Sequence, residues 1–265
     1  MAANEPPSNE QASRERLTLA RFEFFRTLEK EEIRRLDEKC RWRRFEPGAT
    51  ILEFEDRSTE VYFVASGVVR VWLPTTRRTD VILADMGGGA LFGELAAIDG
   101  RPRSASVRAL TAALVGWLPG SAFRSVLVQH VDACDQLLRW LAARSRNLTA
   151  RVSELSTLSV RDRVRTELLR LGRLRTDQPN RAIISPPPTQ SEFAGRISTH
   201  REAVSRELAT LERGGLLERR RGAFVLCDVA ALADSLEHVG ARCFFTGGHA
   251  GGYEGTAGSR PTGTR

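Results

Sequence analysis

The chain has 265 residues, 41% hydrophobic and 28% charged, which is enough for a domain with a sizeable core and a smaller second one. Its formal net charge is +7, carried almost wholly by arginine, since Lys30 and Lys39 are the only lysines. These figures exclude a membrane-spanning helix, because no apolar run approaches ~18 residues, and the excess of positive charge points to a polyanionic partner.

Met1 to Pro7 has neither a basic stretch nor an apolar core, so the expected location is the cytoplasm. Residues 1–15 are polar and aperiodic and read as a disordered arm. Residues 16–130 read as one domain. Leu17, Ala20, Phe24, Leu28, Ile33 and Leu36 keep helical spacing in short pieces. From Arg41 the period changes. Trp42, Phe45, Ile51, Phe54, Val61, Phe63 and Val64 fall in short runs, with turns at Pro47-Gly48 and Ser66-Gly67. Val68–Leu73, Asp80–Asp85 and Val107–Leu118 continue the series, which predicts a β jelly roll or sandwich.

Within it lies the segment Leu91-Phe92-Gly93-Glu94-Leu95, followed by Pro102-Arg103-Ser104-Ala105. Amides of the turn near Gly93 and of Ala105 can donate to a small phosphate, and Arg103 can neutralise it. Charge-assisted bonds of this kind contribute about 1.5–3 kcal/mol each. Glu94 would repel a phosphate, so its sensible partner is a ribose 2′-hydroxyl. A carboxylate for ribose beside an arginine for phosphate fits a ribonucleotide better than a bare anion.

After Pro119-Gly120 the pattern turns helical. Val131, Cys134, Leu138, Leu141, Ser145, Leu148, Val152 and Leu155 step by three and four, a narrow seam that predicts a dimerisation helix over 131–158 in a parallel homodimer. The break at 156–159 is the expected hinge. Ser159 with Asp162 caps the next helix and opens a second domain over 159–239. A loop follows at 177–180, and Ser185-Pro186-Pro187-Pro188 blocks regular helix. Thr189 with Glu192, and Thr199 with Glu202, are spaced as capping boxes for two short helices. Val204, Leu208 and Leu211 form the buried face of the second, which ends at Gly214-Gly215. Strands then flank Arg220-Arg221-Gly222, so the unit reads as a winged helix-turn-helix. Residues 240–265 read as a flexible tail.

Arg201, Glu202 and Arg206 share the exposed face of the second helix, beside Thr199 and Ser205. Arginine suits guanine O6 and N7, and glutamate suits a cytosine amine. Thr189, Arg219, Arg220 and Arg221 are placed for phosphate contacts that position without specifying.

Phe92 to Leu95 and Pro102 to Ala105 resemble the phosphate-binding cassette of cyclic-nucleotide-binding domains. With the helix-turn-helix downstream, residues 20 to 230 resemble the Crp/Fnr family of bacterial transcription regulators. The resemblance implies an α+β chain with an N-terminal cyclic-nucleotide-binding β jelly roll, a long dimerisation helix and a C-terminal winged helix-turn-helix. It implies that Gly93 and Glu94 serve the ribose, that Arg103, Ser104 and the Ala105 amide serve the cyclic phosphate, and that Leu95 belongs to the same ligand site. Leu148 and Thr149 stand where the family has a Thr-Ser pair that meets the base. The resemblance makes cyclic AMP the expected ligand; Thr149 keeps a hydroxyl and Leu148 does not, a departure that leaves cyclic GMP open. The implied partners are double-stranded DNA bearing a TGTGA-type inverted repeat, a second copy of the chain and RNA polymerase, with no membrane and no metal.

The alternative is the same scaffold answering haem or redox state, or binding DNA constitutively. Cys40 alone does not supply an iron–sulfur cluster, and Cys134, Cys227 and Cys243 read with it as free thiols without metal-ligand spacing. His130, His200, His238 and His249 are scattered with no nucleophile–base pair, so no enzyme is expected. Glu55 replaces a glycine usual in the family's strand turn and reads as structural.

Overall fold

The computed structural model describes residues 17–75, 80–174, 178 and 180–236. The expected arm at 1–15 and tail at 240–265 lie outside the described residues, as do Cys243, His238 and His249. The contacts group the rest into two bodies, one built on residues 17–73 and 83–141 and the other on residues 74–75, 80–82 and 142–236, so that the start of the strand Val81–Met86 falls to the second.

In the first body the period-two runs become two antiparallel sheets. One has the order β1 (Arg41–Phe45), β8 (Ala113–Leu118), β3 (Val61–Ser66), β6 (Leu91–Phe92). The other has the order β2 (Thr50–Leu52), β7 (Ser106–Ala109), β4 (Val69–Leu73), β5 (Val81–Met86). Side chains alternate across a strand, so β3 serves two cores. Val64 joins Phe45, Leu52, Val71, Phe92, Val107 and Val115 in one, and Val61 and Phe63 join the other. There Phe63 meets Phe25 at 5.2 Å and Phe22 at 5.4 Å, and Phe24 meets Phe123 at 5.2 Å. Burying each such ring contributes about 1.5–3 kcal/mol.

The helices of this body are α1 (Lys30–Lys39), the short α2 (Glu94–Asp99), which sequence periodicity did not reveal, and α3 (Gly120–Gln129). The long helix α4 spans Val131–Thr157, 27 residues or about 40 Å. Its predicted seam divides. Leu141 packs, with Trp140, against a core that also takes Ala133 and Leu137 from the adjoining face. Val131, Leu138, Leu148, Val152 and Leu155 stay exposed, with Val152 at 63%. No helix of the described residues is long and apolar enough to cross a membrane.

The second body contains α5 (Val160–Leu171), β9 (Arg173–Leu174), β10 (Ala182–Ile184), α6 (Gln190–Arg196), α7 (Arg201–Arg213), β11 (Leu217–Arg220), β12 (Ala223–Leu226) and α8 (Val229–Asp234). The expected hairpin is half of a four-stranded sheet in the order β11-β12-β10-β9. The added strand β10 carries the run Ala182-Ile183-Ile184, paired antiparallel to β12. Val164, Leu168, Phe193, Val204, Leu208, Leu211, Leu226 and Leu232 fill the core.

Two expected caps form. Ser159 accepts from the Asp162 amide, and Thr189 with Glu192 makes a reciprocal capping box. The expected box at Thr199 and Glu202 does not form. α7 starts one residue later with His200 as its uncapped N-cap, and the Glu202 carboxylate turns to Arg201 Nε at 2.9 Å.

The contacts also bear on the segment read as a hinge. The division between bodies falls at 141/142, inside α4, and the 156–159 break lies within the second body. Buried ion pairs brace that break. Glu167 accepts from Arg151 at 2.8 Å and from Arg170, and Glu154 accepts from Arg170 at 2.6 Å. Glu167 is 1% exposed and Glu154 5%, so each carboxylate depends on these guanidiniums.

Candidate functional site

The first candidate site is the cassette in the jelly roll. β3 and β6 pair so that Tyr62 lies opposite Phe92, and their rings stack at 5.1 Å. The next residue, Gly93, has φ +81° and begins α2 as its N-cap. The left-handed backbone favours glycine there. So does the space: a Cβ would lie 2.8 Å from Arg103 Nη1 and 3.0 Å from the Glu60 carbonyl oxygen.

Arg103 is 3% exposed. Its Nε donates to Ser58 Oγ at 3.0 Å, Nη1 to the Gly93 carbonyl at 2.9 Å and Nη2 to the Glu60 carbonyl at 2.9 Å. The guanidinium also stands 5.7 Å from the centre of the Tyr62 ring. Burial pulls its pKa below the ordinary arginine value, and Tyr62, Glu60, Asp56 and Glu94 oppose that fall. It remains a cation at neutral pH, fixed in direction. The sequence offered Arg103 as a cation able to neutralise a phosphate; the structure holds it with three of its donor directions already used.

The other cassette residues surround it. Glu94 is buried in the first turn of α2, and Leu95 beside it is exposed. Ser104 is exposed, Ala105 is buried, and the chain then enters β7. This brings an arginine, a buried carboxylate and the backbone of a short turn together within one body, the composition a sugar phosphate requires. Leu148 and Thr149 are exposed on the part of α4 that belongs to the second body. The Thr149 hydroxyl donates to the Ser145 carbonyl of its own helix at 3.1 Å.

Sequence reasoning missed Ser58, Glu60 and Tyr62. Tyr62 was legible in principle, since β3 alternation puts it on the opposite side from Phe63. Ser58 and Glu60 had no local signal.

The second candidate site is the helix-turn-helix. α6 ends in a turn at Ile197 to His200, with Ser198 at φ +50°. Helix ends leave carbonyls without partners. Here arginines take them: Arg151 donates to the Arg196 carbonyl at 2.7 Å and Arg163 to the Ile197 carbonyl at 2.7 Å. The turn is thereby held from α4 and α5. On α7, Val204, Leu208 and Leu211 face the core, while Arg201, Glu202 and Arg206 are exposed and Ser205 half-buried. Arg201's guanidinium holds the Glu202 carboxyl below the usual carboxylate range. Thr199 is half-buried and Thr189 exposed at the start of α6.

In the wing, Arg219 pairs with Glu212 at 2.9 Å and lies 5.8 Å from the Phe224 ring. Arg220 reaches both oxygens of Glu218, at 3.0 and 2.9 Å. Arg221 sits at the exposed tip before Gly222. Cys40 is buried, and burial pushes its thiol up to about 12, far from reactive.

Comparison with known proteins follows the same two sites. Residues 42–130 match the family model of the cyclic nucleotide-binding domain, and residues 162–235 match that of the Crp-like helix-turn-helix domain. A CRP-like cAMP-activated global transcriptional regulator of Mycobacterium tuberculosis is 27% identical over 216 residues, covering 81% of this chain and 96% of the relative. The cAMP-activated global transcriptional regulator Vfr of Pseudomonas aeruginosa is 29% identical over 187 residues, covering 67% and 85%. Among solved structures, the c-di-GMP responsive global regulator CLP of Xanthomonas campestris superposes with a TM-score of 0.63 at 22% identity, covering 75% of this chain and 99% of that one. That last likeness is one of fold.

Proposed function

The chain belongs to the Crp/Fnr family of transcription regulators, and from that premise we propose that it is a homodimer whose DNA binding answers to a cyclic nucleotide, cyclic AMP before cyclic GMP. The observation that carries the reading is Arg103, buried and pre-aimed beside the Gly93 turn and the buried Glu94. A ribose 2′-hydroxyl would donate to Glu94, and a cyclic phosphate would take the remaining Arg103 donors with the Ser104 and Ala105 side of the turn. Leu95 flanks the sugar. Leu148 and Thr149 would meet the base, with Thr149 as the group able to hydrogen-bond it.

The exposed apolar stripe from Leu138 through Leu155 supports pairing with a second copy. Two α7 helices related by that axis suit an inverted repeat of TGTGA type. Arg201, Glu202 and Arg206 would read base edges, with Ser205 and Thr199 beside them, and Thr189 and Arg220 would contact phosphates. RNA polymerase is the further partner of a regulator that acts at promoters. Ligand control requires different nucleotide affinity in the DNA-competent and incompetent states.

The test is a gel shift on a TGTGA-N6-TCACA duplex, with and without each nucleotide. The reading expects nucleotide-dependent retardation, lost in Arg206→Ala and reduced in Arg103→Ala. Retardation independent of either nucleotide favours the constitutive alternative. The apolar Leu148 is the observation that keeps cyclic GMP or another signal in view, and parallel titrations decide between them.

A further inference from the structure

The connection between β2 and β3 is built around Arg103. Glu55 has φ +66°, a left-handed conformation that costs a non-glycine residue about 1 kcal/mol. It is kept where the loop registers on Arg103. The Glu55 amide donates to the Arg103 carbonyl at 3.0 Å, and the Arg103 amide donates to the Asp56 carbonyl at 2.8 Å. The Ser58 hydroxyl donates to Asp56 Oδ2 at 2.9 Å while accepting from Arg103 Nε. Asp56 and Ser58 therefore fix the plane of the guanidinium.

Glu60 enters differently. Its backbone carbonyl accepts from Arg103 Nη2, but its carboxylate oxygen Oε2 stands 3.6 Å from that same nitrogen, beyond hydrogen-bond reach. Oε2 is sealed from solvent and accepts no hydrogen bond from the described residues. A desolvated carboxylate oxygen without a donor is unfavourable by itself. What compensates it is the charge of Arg103. The Glu60 side chain as a whole is 39% exposed, so Oε2 has a short way out to water.

We infer that Glu60 is the internal counter-ion of the phosphate arginine, a carboxylate that an anionic ligand displaces from beside Nη2, so that it sets how tightly the pocket takes a cyclic phosphate. The inference rests on reading the cassette as a phosphate site. Glu60 offers Arg103 charge without a hydrogen bond. A phosphodiester offers the same single charge and exocyclic oxygens that accept hydrogen bonds, and so it holds the guanidinium better. The pocket already gathers Glu60, Asp56 and Glu94 around one cation. Adding a phosphate makes the Glu60 charge the movable part of that excess.

The experiment is calorimetric titration of the full chain with cyclic AMP and cyclic GMP, for wild type, Glu60→Gln, Glu60→Asp, Ser58→Ala and Arg103→Ala, with melting of each ligand-free protein alongside. Glu60→Gln is expected to bind about tenfold tighter, without a rise in melting temperature. Glu60→Asp keeps the charge and is expected within about twofold of wild type. Ser58→Ala, which loses a positioning residue, is expected to bind several-fold weaker. A merely structural Glu60 would lower affinity and melting temperature together. Unchanged or weaker binding by Glu60→Gln therefore overturns the counter-ion role. If that variant melts early, Glu60→Ser carries the same expectation and the same refutation. Wild-type affinity in Arg103→Ala overturns the phosphate site itself, a separate failure.

Discussion

Arg103 is 3% exposed, with three of its donor directions used inside the protein. Arg201 and Arg206 stand in solvent on the outer face of α7, where Arg201 pairs with its neighbour Glu202 at 2.9 Å. Both settings suit anionic nucleotide chemistry, but by different physics. A buried, pre-aimed guanidinium meets a small ligand with little loss of side-chain entropy, and its neighbours decide which charge it accepts. An exposed arginine keeps its reach and can adjust to a base edge or a phosphate, at the expense of rotamer freedom on binding. The first arrangement links ligand affinity to the stability of the fold, whereas the second separates DNA affinity from it.

That difference can be broken by experiment. The largest effect is expected from Arg103→Ala, which strands the Gly93 and Glu60 carbonyls and the Glu60 carboxylate. Denaturant titration is expected to show about 3 kcal/mol of lost stability in the jelly roll. Arg206→Ala is expected to change stability by no more than about 0.5 kcal/mol. Equal losses in the two would erase the contrast.

Next comes Gly93→Ala. Its left-handed φ and the 2.8 Å approach to Nη1 predict a destabilisation of about 1–2 kcal/mol, with weaker nucleotide binding because the guanidinium must shift. Unaltered nucleotide affinity would show that the aim of Arg103 is unimportant.

The smallest effect belongs to the wing. Arg220 is already shared with Glu218, so Arg220→Ala is expected to weaken binding to all duplexes alike. The log–log dependence of affinity on salt is expected to lose about 1 from its slope. A sequence-selective loss would instead place Arg220 on a base.

The two sites were legible in the sequence to different degrees. Helix α7 was nearly complete there, because one helical period separates Val204, Leu208 and Leu211 from Arg201, Glu202 and Arg206. Its boundary was misplaced by one residue, since Thr199 and Glu202 have capping-box spacing but Glu202 finds Arg201 closer. At the cassette the motif located Gly93, Glu94 and Arg103 but not the Ser58, Gly93 and Glu60 acceptors that hold the arginine. Strand β10 was missed because Ala182-Ile183-Ile184 is short and stands next to a proline run. The break at 156–159 shows in the sequence as a lapse in periodicity, which does not reveal the ion pairs of Arg151 and Arg170 with Glu167 and Glu154 beside it.

By itself, the sequence determined the order of elements, the jelly roll followed by a long helix and a winged helix-turn-helix, and the residue types of both sites. Those features depend on local periods, caps and turns, interactions between residues near one another in the chain. Only the tertiary structure decided what surrounds Arg103, because Ser58 and Glu60 lie 45 and 43 residues before it. It also decided that Arg151 meets Glu167 across the expected hinge. Hydrogen bonds and ion pairs at that separation are made by strand pairing and helix packing, which bring together groups that no local spacing relates.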